Sequence, residues 1–116
     1  MNLSKWKQLT IYISESDSWH HQPLHQALLG IARQQKLTGV TVMRAIAGYG
    51  KHGILRTTNE LDPSSESSYL PLAVVVIDRE AAIAEFFSLV KEMVKDKFVT
   101  CQTIEVLSPL VTLQGQ

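Results

Sequence analysis

Arg44, Lys51, His52 and Arg56 lie in one short stretch of the chain, interleaved with Gly48, Gly50 and Gly53. Backbone N–H groups in a glycine turn can converge on an anion, and arginine adds planar, two-pronged hydrogen bonding to a phosphate or carboxylate. These seven residues form a candidate ligand site for a small anion. The glycines also spell G-x-G-x-x-G, the dinucleotide-binding fingerprint, which functions only when a helix begins at the third glycine. The residues after Gly53, ILRTTNELDPSSESS, show no 3.6-residue apolar stripe and are broken by Asp62-Pro63. The next strand closes only at Asp78, too far on to supply the ribose-binding acid of that fold. A Rossmann reading therefore fails, leaving a turn-based anion site or a plain bend with solvated cations.

Two other groupings carry less. His21 and His25 have the i, i+4 spacing of zinc ligands on a helix. Pro23, however, starts the helix at about residue 22 or 23, leaving His20 and His21 outside it, and a third ligand would have to come from Glu15, Asp17 or His52. A polar turn anchored by Trp19 is the simpler reading, and no metal is assigned. Asp17, Ser18 and His20 are the residue types of a nucleophile system, but types crowded into one turn say nothing of geometry. No catalytic residue and no cofactor are assigned. Cys101, the single cysteine, sits in an alternating segment and reads as a half-buried thiol.

The formal charge is zero over 116 residues, which disfavours a broad nucleic-acid surface. Its distribution is uneven. Between Ser18 and Asn59 there is no acidic residue, while Arg33, Lys36, Arg44, Lys51 and Arg56 all fall there; the compensating acids follow Asn59. A negatively charged ligand would favour that block. The N-terminal MNLSKWKQLTIYIS has no long apolar run or cleavage site, and nowhere do ~18 apolar residues follow one another. The expectation is a cytoplasmic protein.

The elements that must position these residues are readable from periodicity. Lys7 to Ile13 alternates as a strand; Leu24, Ala27, Leu28, Ile31 and Ala32 mark one face of a helix closed by Gly39. Val40 to Ala47 is a second strand, and 48–69 a long loop holding the glycine motif. Leu70 to Ile77 is a third strand, after which Asp78 can cap a second helix with the stripe Ile83, Phe86, Phe87, Val90, Met93 and Val94, and with Lys91, Lys95 and Lys97 near its C-terminus. Val99 to Leu107 is a fourth strand, and 108–116 a tail. The order βαββαβ in one short domain predicts an α+β, ferredoxin-like fold, with one antiparallel sheet and both helices on one face. Strands two and three are apolar on both sides, so the open face predicts an oligomer.

The stretches LTIYISESDSWHHQPLHQALL, GVTVMRAIAGYGKHGILRT, LPLAVVVIDREAAIAEF and VTCQTIEVL resemble the DUF190 family, which is similar to the PII signalling proteins. The most specific pieces are Glu15-Ser16-Asp17, Trp19-His20, Pro23-Leu24, and Gly39 through Gly50 followed by Arg56-Thr57. The resemblance implies a homotrimer with its sheets facing a common centre and a long loop after the second strand. It also implies an adenine nucleotide as the small anionic effector, bound between subunits, and a membrane transporter or enzyme gripped by the loop. IDREAAIAEF lacks the glycines of the PII phosphate loop, so the anion site is placed at the Gly48 to Arg56 turn. Other readings are an adaptor trimer without a small ligand, or a metal-responsive one.

Overall fold

The computed structural model describes residues 5–45, 47–48, 56–57 and 70–107, the two short pairs by their backbone. The elements are β1 (Trp6–Ser14), β2 (Ser18–Trp19), β3 (Gln22–Pro23), α1 (Leu24–Gln34), β4 (Gly39–Arg44), β5 (Ala47–Gly48), β6 (Arg56–Thr57), β7 (Pro71–Arg79), α2 (Glu80–Val90) and β8 (Phe98–Ile104). The four long strands form one sheet in the order β4-β7-β1-β8, with every neighbour antiparallel. With α1 and α2 as the crossovers, this is the ferredoxin-like βαββαβ arrangement expected from the periodicities.

Alternation along the strands separates the two faces. Leu9, Ile11 and Ile13 of β1 and Leu72, Val74 and Val76 of β7 are buried, and they join Leu24, Ala27, Leu28 and Ala32 of α1 and Ile83, Phe86 and Val90 of α2 in a single core. The opposite face is uncovered by helices. Register places Met43, Ala73, Tyr12 and Phe98 in one row across it. Met43 is 51%, Tyr12 47% and Phe98 67% exposed, with the Tyr12 and Phe98 rings 5.8 Å apart. At the far end of that face Trp6 is buried beneath the Arg79 guanidinium, 5.3 Å from the ring centre.

Several local expectations are corrected. Gly39 does not close α1. Gln35 is the C-cap, Lys36 takes the left-handed position with φ 55°, and its N–H and that of Leu37 bond back to the Arg33 and Ala32 carbonyls. This is a Schellman ending in which Leu37, packed on the core, fixes where the helix stops. Asp78 does not cap α2. Arg79 is the N-cap, in extended conformation and without a side-chain cap bond, while Asp78 remains in β7. The Asp78 carboxylate is buried and accepts N–H bonds from Thr38 at 2.8 Å and Arg79 at 2.6 Å, joining the α1–β4 connection to the β7–α2 corner. Asp78→Ala strands the Thr38 donor and should cost about 2 to 3 kcal/mol in a denaturant unfolding experiment, with Asp78→Asn recovering part of it.

The regular part of α2 ends at Val90, so its last turn carries no cation. The apolar stripe continues into the following turns, where Met93 and Val94 are buried, both bonded through their N–H groups to the Val90 carbonyl. Phe87, part of that stripe by its spacing, is instead 36% exposed. It faces a groove of about 360 Å³ between α2 and β8, lined also by Leu9, Ile83, Val99 and Cys101. Cys101 is exposed rather than half-buried, because β8 is an edge strand that α2 only partly covers. The fourth strand likewise ends at Ile104, short of Leu107.

Candidate functional site

In this topology β1 and β4 run in the same direction on either side of β7, so their C-terminal ends lie at the end of the sheet where β7 begins. Arg44, the last residue of β4, pairs in register with Leu72, and so does Ile13 from the other side. The pleat therefore puts the side chains of Arg44 and Glu15 on the helix side, at the same end. The Arg44 Nη2 donates to Glu15 Oε2 at 2.5 Å. Glu15 Oε1 accepts the Leu70 N–H at 2.9 Å, and the Glu15 N–H donates to the Leu70 carbonyl at 3.0 Å. Ala45 N–H closes the other side on the Pro71 carbonyl at 2.9 Å. One carboxylate thus joins the residue from which the chain leaves the sheet to the residue at which it returns.

Beyond Arg44 the chain forms the two-stranded ribbon β5–β6, with Ala47 opposite Thr57 and Gly48 opposite Arg56. Part of the segment expected to be a plain loop is therefore a hairpin stem, and Gly48 and Arg56 are its last described pair. The pairing brings the backbone on both sides of the glycine turn together, close in sequence to Arg44. Gly50, Lys51, His52 and Gly53, most of the loop expected at 48–69, and the tail 108–116 lie outside the described residues.

A second ion pair occupies the same end of the molecule. Asp17 Oδ2 accepts the Ser14 N–H at 2.7 Å, closing the turn after β1, and Oδ1 accepts from Lys97 Nζ at 2.9 Å. The charge pattern along the chain puts Lys97 at the end of α2, but it sits at the entry to β8, directly beside the β1 end. The Glu15-Ser16-Asp17 triplet therefore clamps both neighbouring connections, each acid with its own cation.

The histidine segment is a tight β2–β3 hairpin. Trp19 pairs with Gln22, and the two loop residues, His20 and His21, have φ of 49° and 69°. Two consecutive positive φ values are the signature of a type I′ turn, usually made by Asn-Gly. The Trp19 and His20 rings stack at 4.4 Å with 12° between planes, and Trp19 packs against the core as the expected anchor. His21 lies in the turn and His25 in α1, so they do not share a helical face. Among the described residues no group of three or more His, Cys, Asp or Glu side chains is arranged to hold a metal ion.

Sequence reasoning missed Glu15 as the partner of Arg44. The run from Ser18 to Asn59 is free of acids along the chain, but folding inserts a carboxylate from outside it. The signal that could have found it was topological: in a split βαβ sheet an acid just after β1 and a base at the end of β4 lie at the same end, one strand apart and within reach of long side chains.

The DUF190 family model, described as Uncharacterized ACR, matches residues 6–106. The chain belongs to the DUF190 family. This DUF190 protein is 36% identical over 107 residues to a UPF0166 protein of Aquifex aeolicus (strain VF5), covering 92% of this chain and 98% of that relative. Its fold is similar to that of CPII, a nitrogen regulatory PII-like protein from Thiomonas intermedia K12 whose structure is bound to ADP, AMP and bicarbonate. That match has a TM-score of 0.65 at 14% identity and covers 94% of each chain. A provisionally assigned PII-like signalling protein of Thermus thermophilus matches with a TM-score of 0.54 at 20% identity, over 91% of each chain. The DUF190 chain thus has the PII-like form of the ferredoxin-like fold. None of its described helices is long and apolar enough to cross a membrane.

Proposed function

We propose that this protein is a PII-like regulatory protein that binds a small anionic effector, with an adenine nucleotide as the first candidate, and performs no chemistry on it. The observation that carries this reading is the placement of Arg44 at the root of the β5–β6 ribbon, whose stem sets Arg56 opposite Gly48. Arginines on both sides of a glycine-rich segment are the residue types an anion requires: planar charged donors, and backbone N–H groups with no Cβ to hold a ligand off. The PII-like fold supports the choice of adenine nucleotides, since CPII carries ADP and AMP.

The assembly proposed for it is a homotrimer in the cytoplasm, with the effector between subunits and the segment 48–69 signalling to a transporter or enzyme. The exposed row of Met43, Tyr12 and Phe98 supports burial of the open face against other copies.

Thermal-shift and calorimetric titrations with ADP, AMP and sodium bicarbonate test the ligand, because anything that binds the native state selectively raises its stability. Arg44→Ala and Arg56→Ala should each weaken the selected anion by about 1.5 to 3 kcal/mol, the scale of a charged hydrogen bond, and Lys51→Ala by less. Unchanged affinity in all three variants removes the site from this turn. No binding of any of the three compounds favours the adaptor reading.

A further inference from the structure

We infer that Glu15 is a built-in competitor for the anion at Arg44, so that the affinity of the site is set by whether this carboxylate holds the guanidinium; the inference rests on the reading of Arg44 as an anion ligand. Three features of the contact carry it. Arg44 is 62% exposed at its side chain whereas Glu15 is only 23% exposed, so the base is reachable from solvent while the acid is seated in the protein. Glu15 Oε2 takes the Arg44 Nη2 donor at 2.5 Å, presenting a full negative charge where an incoming phosphate or carboxylate oxygen would bind.

The competitor is also held in place. Its Oε1 is fixed by the Leu70 N–H and its backbone N–H by the Leu70 carbonyl, so Glu15 cannot swing away without giving up contacts to the returning chain. An anion that takes the Nη2 donor must therefore displace one carboxylate oxygen while the other remains anchored, and one bound at the remaining guanidinium donors still meets the Glu15 charge beside it. Binding at Arg44 and the seating of Leu70 thereby share a single side chain. Asp17 is committed elsewhere, its Oδ2 to the Ser14 N–H and its Oδ1 to Lys97.

Glu15→Gln separates these roles. The amide oxygen can still accept the Leu70 N–H, but the negative charge is gone. Titration of the full-length wild type, Glu15→Gln, Arg44→Ala and the double variant with ADP, AMP and inorganic phosphate should show Glu15→Gln binding about three- to tenfold more tightly than wild type. In the Arg44→Ala background the same change should give no gain. Melting curves for all four proteins confirm that the fold is retained.

An equal gain with and without Arg44 would mean that the acid acts only through its general field, and the competition is then wrong. Wild-type binding that Glu15→Gln leaves unaltered overturns the competition while the anion-site reading stands. If none of the probes binds either the wild type or Glu15→Gln, both fall together.

Discussion

Phe98→Asp is expected to convert the proposed homotrimer, three times the 13.0 kDa chain mass, to a single chain, as read by light scattering at micromolar concentration. The residue is 67% exposed in the isolated chain and its ring neighbours that of Tyr12, in the same cross-sheet row as Ala73 and Met43. An uncovered row of this kind is what an oligomeric sheet interface presents before assembly. Placing a carboxylate there would bury an unpaired charge in the assembled form, at a cost of several kcal/mol, while the isolated chain keeps it in water. The variant should therefore stay folded and lose only its partners. A wild type already at the mass of one chain would remove the oligomer outright, and a Phe98→Asp protein still three chains in size would move the interface off this face.

Phe86→Ala lowers the unfolding free energy by about 3 to 5 kcal/mol, a large part of the ~5 to 15 kcal/mol that holds a domain of this size together. Phe86 is fully buried on α2, within the core shared by both helices and the sheet. The loss combines the transfer free energy of the ring with a cavity that the surrounding strands cannot fill. Phe87→Ala is the control: its neighbour on the helix is partly exposed along the α2–β8 groove and should cost about 1 kcal/mol or less. Equal losses at the two positions in denaturant titrations would contradict the assigned helix face.

The sequence by itself determined the four long strands, the two helices and their order, though not the β2–β3 and β5–β6 hairpins, because the forces that select the long elements are local and periodic. Alternation along Lys7 to Ile13 specified β1, and the spacing of Leu24, Ala27, Leu28 and Ala32 specified the buried face of α1. The doubly apolar character of Leu72 to Ile77 marked a strand with one face in the core and another able to meet a partner. What failed locally did so where a distant contact outweighed a local preference. Gly39 was the better left-handed residue, yet Lys36 holds that conformation because Leu37 must reach the core. Asp78 had the chemistry of a helix cap, but its carboxylate is drawn to Thr38, 40 residues away in sequence.

The candidate site divides in the same way. Arg44 and its glycine-rich surroundings are visible as residue types close in sequence, and the β5–β6 pairing of Gly48 with Arg56 remains within that short range. Glu15 and Lys97 are not visible in this way: their partners are 29 and 80 residues distant. Only the strand order β4-β7-β1-β8 brings the ends of β1 and β4 and the start of β8 to one end of the sheet. Charge patterning along a chain reports which ions are available; which of them neutralise one another is decided by register, since ion pairs form over a few ångströms and folding alone sets those distances.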